Sequence, residues 1–524
     1  MYNWTKCIDM FKNLKSDLPA SLVVFFVALP LCLGIALASG APLFSGVIAG
    51  IIGGIVVGGL SGSTIGVSGP AAGLAVIVFA AIANLGFENF LMAVVIGGVL
   101  QIVLGILRAG VIGYYFPSSV IKGMLAGIGI IIFIKQIPLV LGYDPKALSI
   151  ESLGELFDLI NPSVVIISIL SLGILLLWDK VLIQKHDIFK IIPGPLVAVV
   201  LGVVYFALTQ SVSGFQLSEN QLVSVPVPED FNSFIGQFRF PNFSAISNPE
   251  VWVTGFTIAV VASLETLLCV EATDKLDPQK RVTPTNRELL AQGTGNVLSG
   301  FIGGLPITQV IVRSSTNLHA GGKTKLSPIL HGVLILVSVL LIPTFLNMIP
   351  IAVLASVLLI VGYKLAKPTV FKQMLTLGAS QFIPFIITVL GVVFADLLIG
   401  IGLGLAVGII TILINSYKNS HFLHIEKSQN GGQIVKMTLA EEISFLNKGA
   451  ILNELNKLPE KALLELDIRN TIKLNYDILE ILDDFVHTSK QKNIGVKLIT
   501  TQGVVFNPKS FSSLLLSKSK GKSA

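Results

Sequence analysis

Between residues 20 and 415 the chain alternates long apolar runs with short polar breaks. Many of the runs are long enough to cross a bilayer, which takes roughly 18 apolar residues. The pattern predicts about fourteen membrane segments, some of them short: 20–38, 43–60, 70–84, 89–107, 119–141, 162–178, 191–209, 251–271, 288–302, 307–318, 326–347, 350–363, 379–395 and 397–415. Two runs are short and broken by glycine and proline. One reads SGSTIGVSGPAAGLAVIV, broken around Gly69-Pro70; the other reads SGFIGGLPITQVIVRSS, broken around Gly304 and Pro306. Irregular backbone at membrane depth is tolerated only where it lines a cavity or is buried in protein. A pair of interrupted segments at corresponding places in two halves points to a transporter site at the bilayer midplane. Proline suits the first turn of a helix, where its missing N–H has no acceptor to lose. Pro70 and Pro306 therefore read as the starts of half-helices. The Ala71 and Ala72 amides, with Ser68 and Gly69 before them, would face the bound species. Helix N-termini carry partial positive charge, so the expected cargo is an anion. A proline-capped surface loop is the plainer reading of one break, and recurrence of the device weighs against it.

Loop charges set the orientation. Lys6, Lys12 and Lys15 precede the first segment; Lys180, Lys185 and Lys190 follow the sixth; Lys275, Lys280, Arg281 and Arg287 follow the eighth; Lys364, Lys367 and Lys372 follow the twelfth. The intervening stretches 144–160 and 210–249 hold only Lys146 and Arg239. Both termini are expected to be cytoplasmic. Seven segments per half would insert the second half upside down relative to the first. The prolines of the two breaks, Pro70 and Pro306, are 236 residues apart, and that offset maps segment 1 onto segment 8 and segment 3 onto segment 10. After Tyr417 the character changes. QIVKMTLAEEISF alternates like a strand, NKGAILNELNKL reads as a helix, ALLELDI as a buried strand, DILEILDDFVHTSKQKN as an amphipathic helix and GVKLITT as a further strand. The reading is a transmembrane domain over 1–417 and a small cytoplasmic α/β domain over 425–517, followed by a basic tail, SKSKGKSA.

Composition agrees: 53% of residues are hydrophobic and 13% charged, against about 25% charged in soluble domains, and mean hydropathy is +0.82. No cleavable leader is expected, since the first apolar run is long and lacks a small-residue cleavage site. The net charge of +6 reflects basic loops rather than a nucleic-acid partner. Cys7, Cys32 and Cys269 form no CxxC pair, so neither a disulfide framework nor a metal site is expected, and no cofactor is implied.

Intramembrane charge is costly and functional by default. Arg313, seven residues past Pro306, reads as the electrostatic attraction for the anion, the alternative being a snorkelling arginine paired with Glu288. Glu265 lies mid-segment in FTIAVVASLETLLCVEATDKL, opposite Leu29-Pro30 under the 236-residue offset. Burial of a carboxylate favours its protonated form, so Glu265 could carry a proton; the alternative is a structural brace. Glu271 and Asp274 read as solvated or loop-bracing, Lys122 and Lys135 as snorkelling, and His331 and Asp396 as ambiguous. Asn286, Asn296 and Asn317 read as partners for backbone near helix breaks.

The order DLPASLVVFFVALP, GVSGPAAG, SLETLL, NRELLAQGTGN, GGLPIT, VRSSTN and AGGKTKLS, with a small α/β domain behind it, resembles the SulP sulfate-permease family over nearly the whole chain. The resemblance implies an all-α membrane domain of 14 segments in a 7+7 inverted repeat. A core (segments 1–4 and 8–11) would move as an elevator against a gate (5–7 and 12–14). It implies an anion between half-helices 3 and 10, a homodimer, and a C-terminal STAS-like domain that braces the dimer or docks a cytoplasmic protein. By motif position Glu265 matches the family's segment-8 acid and Arg313 its segment-10 basic residue, and Val310 and Ile311 fall where backbone groups face the anion. The chain departs from bicarbonate-transporting members in carrying Ala71 for a hydroxyl residue and Cys269 for a sodium-binding threonine. It departs from prestin in Val310 and Val312, which replace serines, and Leu31 replaces the usual glutamine. Sodium prefers oxygen ligands, so proton coupling is the preferred reading. In the STAS-like domain KLNYDILEI places Asp477 or a neighbour where related domains carry a phosphorylatable serine, which argues against a phospho-switch.

The expected function is secondary active transport of a small inorganic oxyanion, bicarbonate or sulfate, across the inner membrane. Alternatives are a channel or voltage-driven motor on the same fold and, less favoured, a uracil/xanthine-type permease. An enzyme has little support, since no nucleophile–base pair or metal cluster stands out.

Overall fold

The computed structural model describes residues 13–111, 117–142, 161–185, 189, 192–212, 215–225, 236–395, 397–427, 433–501 and 503–516. Lys6, Cys7, Lys12, Lys146, Lys190, Asp396 and the SKSKGKSA tail lie outside the described residues. Contacts divide the chain into two units, Met1–Gly404 and Leu405–Ala524.

In chain order the first unit contains α1 (Leu14–Ala38), α2 (Leu43–Leu60), β1 (Ser68–Pro70), α3 (Ala72–Leu85), α4 (Phe87–Ile106), α5 (Ser118–Leu141), α6 (Pro162–Lys185), α7 (Gly194–Thr209) and α8 (Pro249–Leu276). It continues with α9 (Thr285–Phe301), β2 (Ile307–Gln309), α10 (Ile311–His319), α11 (Leu326–Leu341), α12 (Ile351–Leu365, followed by a short helix Pro368–Thr376), α13 (Ala379–Phe394) and the start of α14 (Leu397–Lys418). Among the described residues eight helices are long and apolar enough to cross a membrane, α12 being counted with its short extension. Helices α3, α7, α11 and α13 are apolar but shorter.

Helix α9 is different in kind. Glu288, Gln292, Asn296 and Ser299 fall at spacings of four, four and three along it, so they share one face, and all four are fully buried. This polar stripe holds both breaks. Glu288 accepts from Ser61 Oγ at 2.6 Å, from the Gly62 amide at 3.1 Å and from Gln292 at 2.9 Å. Gln292 also donates to Ser68 Oγ at 2.7 Å. Asn296 accepts from the Ile307 amide at 2.5 Å and donates to the Ile307 carbonyl at 3.0 Å. Ser299 Oγ donates to the Leu305 carbonyl at 2.6 Å.

The two breaks are not proline-started helices. Pro70 closes a three-residue strand and Pro306 precedes one; the helices begin later, at Ala72 and Ile311. The spacing between the two halves is not uniform: Leu14 and Pro249 open helices 235 positions apart, close to the 236 of the prolines, and Leu43 and Thr285 open helices 242 apart. Ser68 and Ile307, Ala72 and Ile311, and Phe87 and Leu326 open matching elements, each pair 239 positions apart. Strands β1 and β2 pair antiparallel in the register Ser68↔Gln309, Gly69↔Thr308 and Pro70↔Ile307. The central pair, Gly69↔Thr308, is itself related by that offset, so the ladder is centred on matching residues.

In the second unit, strands β3 (His421–Lys427), β4 (Gln433–Leu439), β6 (Leu463–Asp467), β8 (Gly495–Thr500) and β9 (Gly503–Phe506) form one sheet in the order β3-β4-β6-β8-β9. The pairs β4–β6 and β6–β8 are parallel; the edge pairs β3–β4 and β8–β9 are antiparallel. A small parallel pair, β5 (Glu442–Ile443) with β7 (Lys473–Leu474), lies beside it. Helices α15 (Lys448–Asn456), α16 (Tyr476–Gln491) and α17 (Phe511–Leu516) complete the unit. Its core joins the inward residues of alternating strands (Val435, Met437, Leu464, Leu466, Val496, Leu498) to the apolar face of α16 (Ile478, Leu482, Phe485). At the KLNYDILEI turn, Asn475 caps α16 by accepting from the Asp477 amide at 3.1 Å.

Candidate functional site

The β1–β2 ladder brings two helix starts together. Ala71 and Val310 are extended, with φ,ψ of −109°,134° and −121°,128°, and each leads into its helix. The Val310 amide donates to the Val67 carbonyl at 3.0 Å, tying the second start to the first break. The first backbone bond of α10 runs from Ser314 N to Val310 O, 3.1 Å. The amides of Ile311, Val312 and Arg313 therefore have no acceptor in the helix, as at any helix N-terminus. Helix α3 opens as a 3₁₀ turn over Ala72–Leu74.

A cavity of about 130 Å³ lies at these starts, room for roughly four waters at ~30 Å³ each. Pro70, Ala72 and Gly73 line it from one break, and Val310, Ile311, Val312 and Arg313 from the other. Glu265, Leu268 and Cys269 line it from α8, and Leu31, Ile35, Leu125, Val361 and Leu365 close it with apolar surface. Of the residues expected at the site, Ser68, Gly69 and Ala71 lie in the layer behind. Ser68 is turned toward Gln292, and Gly69 lies under Arg313.

Arg313 is 1% exposed. Its Nη2 lies 3.4 Å from Cys32 Sγ, and Nη1 has no hydrogen-bond partner. A Cβ added to Gly69 would fall 2.1 Å from Nη1, so only glycine leaves room for the guanidinium there. The pairing with Glu288 does not occur, since Ser61, Gly62 and Gln292 hold that carboxylate instead. Among the described residues no carboxylate lies within ion-pair distance of Arg313.

Glu265 and Cys269 are one helical turn apart on α8 and face the two starts. The Glu265 carboxylate lies against Gly73, where an added Cβ would stand 2.7 Å from both of its oxygens. Its Oε2 has no partner. The Cys269 thiol faces the Ile311 amide. Farther along α8, Thr266 Oγ1 accepts from the Gln309 amide and Thr273 Oγ1 from Gln309 Nε2, each at 3.3 Å.

The three asparagines bind backbone. Asn296 holds Ile307, Asn317 donates to the Ile65 carbonyl at 2.9 Å, and Asn286 accepts from the Gly110 amide at 2.9 Å, away from the breaks. Asp274 braces the α8–α9 loop by accepting from the Thr283 amide and hydroxyl, both at 2.7 Å, and Glu271 pairs with Lys275. His331 is buried, with Nδ1 on the Pro328 carbonyl and Nε2 unpartnered. Lys122 and Lys135 do not line the cavity. Sequence reasoning missed Gln292 and Glu288 as supports of the first break. Their spacing with Asn296 on one face of α9 was the available signal.

Residues 14–388 match the Sulfate permease family. The chain is 28% identical over 405 residues to YvdB of Bacillus subtilis, covering 75% of this chain and 72% of that one. It is 25% identical over 455 residues to the bicarbonate transporter BicA of Picosynechococcus, covering 84% and 77%. The transmembrane domain of a cyanobacterium bicarbonate transporter BicA superposes with a TM-score of 0.64 at 25% identity, over 74% of this chain and 98% of that one. The overall structure of SLC26A9 gives 0.72 at 16% identity over 93% and 84%, a likeness of fold. With its apolar helices, this match makes the chain a multi-pass membrane protein and a member of the sulfate permease family of anion transporters.

Proposed function

We propose that the chain is a secondary active transporter of a small inorganic oxyanion, bicarbonate or sulfate, coupled to protons. The anion sits between the starts of α3 and α10. The observation that carries this reading is the β1–β2 ladder, which sets two helix N-termini at one small cavity beside a buried arginine whose Nη1 is unpartnered. A lone charge at such depth costs about 2.5–3.5 kcal/mol on insertion scales. A bound anion, drawn by that charge and by two helix dipoles, offsets the cost.

Glu265 supplies the coupling. Ionised, it lies against Gly73 as a built-in anion at the start of α3 and opposes a second negative charge nearby. Protonated, it leaves that field to the substrate. Proton and anion therefore favour each other's binding, and the coupling is reciprocal. This sign gives symport.

The recurrence of matching elements at 239 positions supports reading the membrane unit as a 7+7 inverted repeat with elevator-type exchange of the site between the two sides. The basic loops support cytoplasmic termini and an inner-membrane location. The STAS-like domain, placed at 425–517 behind a transport domain of 1–417, is read as bracing a homodimer or docking a cytoplasmic protein.

Proteoliposome uptake tests the proposal. Labelled sulfate competed with bicarbonate, chloride and dicarboxylates, with and without a pH gradient, is expected to show saturable uptake driven by an acid exterior. Non-saturating flux indifferent to the proton gradient would support the channel reading and end this one.

A further inference from the structure

A second cavity, of about 620 Å³, is walled in part by the same helices as the site. Four helices line both chambers. Helix α1 offers Leu31 and Ile35 to the small one and Leu37 to the large one; α3 offers Ala72 and Gly73, then Phe79 and Ile82. Helix α5 offers Leu125, then Leu139, and α12 runs the other way, from Ile351 and Ala352 to Val361 and Leu365. Phe79 of α3, in the wall of the larger cavity, carries the Nζ of Lys135 of α5 over its ring, 3.4 Å from the centroid, although Lys135 itself lines neither cavity. Lys135 is ten residues beyond Leu125, about 15 Å along the helix, and one turn before Leu139. Among the described residues no carboxylate pairs with it, and the ring face is a partner of its charge. A cation over an aromatic face gains about 0.5–2 kcal/mol, enough to hold the ammonium and little enough for an arriving anion to compete.

We propose that the larger cavity is a second anion-binding chamber on the transport path, with Lys135 as its recruiting charge and the Lys135–Phe79 contact as the septum between the chambers. The proposal rests on the anion-transport reading and extends it to residues outside the central site. An anion entering the larger chamber draws Lys135 off the ring. Losing that contact frees Phe79 to turn, and the way to the helix starts opens.

The test uses the full chain in liposomes with Ala83→Cys, a position lining the larger chamber, or Asn220→Cys on the same wall if the first variant misfolds. Modification at that residue by a sulfonate-bearing and by a trimethylammonium-bearing methanethiosulfonate is followed by mass spectrometry, each rate normalised to a free thiol. The anionic reagent is expected to react about tenfold faster, within the range for a charged cleft. Lys135→Met should bring the ratio to about one, and Lys135→Arg should keep it. Phe79→Leu should keep the ratio while raising anionic labelling of the native Cys269, in the small chamber, severalfold from the same side. A ratio of one in the parent, or one indifferent to Lys135→Met, overturns the recruiting role. A Cys269 rate unmoved by Phe79→Leu overturns the septum. Arg313→Ala separates the two layers of argument: it should lower uptake about 10- to 100-fold and leave the ratio at residue 83 unchanged.

Discussion

The two halves of the site share a backbone and differ in side chains. Each has a three-residue strand, an extended linking residue and a helix start, and the strands pair about a centre of matching residues. Around that centre nearly every partner differs. Gly73 of the first start is faced by a carboxylate, Ile311 of the second by a thiol. Arg313 in α10 corresponds, 239 positions earlier, to Leu74 in α3. Helix α9 holds the first strand through one serine and the second through both polar groups of Ile307. In the proposed transporter, the matching backbone supplies amides and dipoles for an anion, and the unmatched side chains supply the net charge and the coupling to the proton. The comparison therefore predicts that changes at matching positions have unequal effects.

The largest inequality is at Arg313 and Leu74. Arg313→Ala removes the buried charge and should lower uptake about 10- to 100-fold, the range for losing a charged hydrogen-bonding group. Leu74→Ala leaves a cavity in the core, with a stability cost of about 2–5 kcal/mol, and should leave the apparent KM of correctly folded protein near that of the parent. Uptake kinetics beside a thermal-shift assay separate the outcomes. Equal loss of substrate affinity in both variants would break the comparison.

The central pair comes next. Gly69→Ala forces the guanidinium to move, because the new methyl group falls on Nη1. Thr308→Ala removes a buried methyl group and a 3.3 Å hydroxyl contact to the Gln309 carbonyl. The expected result is a KM raised about tenfold for the first, in keeping with a displaced charged contact, against a change too small to resolve for the second.

Glu265→Gln sharpens the functional half of the argument. The amide keeps the shape and cannot exchange a proton. Uptake should persist down an anion gradient while its dependence on the pH gradient disappears. Retained proton dependence would assign the coupling elsewhere.

Much of this was legible in the chain, and the limits have physical causes. Both breaks, Arg313 and Glu265 stand out because polar residues and glycine–proline pairs are expensive in an apolar segment. What could not be read was the role of the prolines. Ser68–Pro70 and Ile307–Gln309 are too short to signal strands, and each becomes one only through a partner far along the chain. In the second unit β4, β6 and β8 were readable from alternation or apolar runs, whereas the edge strand β3 exposes Phe422 and Ile425 and hides its pattern. The polar face of α9 carries a helical period that was open to view, but its targets depend on the fold.

Asn296 and Ser68 test that scaffold. Asn296→Ala strips two bonds from buried backbone and should cost about 1–3 kcal/mol of stability, the penalty for an unsatisfied buried group. Ser68→Ala loses one side-chain bond and should cost about 1 kcal/mol. Similar shifts in melting temperature for the two would mean that α9 supports both breaks alike.

Cys269→Ser is the gentlest change and the most discriminating one. If the two helix starts differ because one faces a charge and the other a neutral group, a hydroxyl in place of the thiol preserves the difference. It still presents a small polar atom to the Ile311 amide, and a neutral partner leaves that amide's field available to the anion. Uptake, its proton dependence and its indifference to sodium should all stay within about twofold of the parent, below the ~0.5 kcal/mol of a weak hydrogen bond. Sodium-stimulated uptake in this variant would show that an oxygen at residue 269 suffices for a cation site. Coupling would then be set by the atom facing α10 rather than by the carboxylate facing α3.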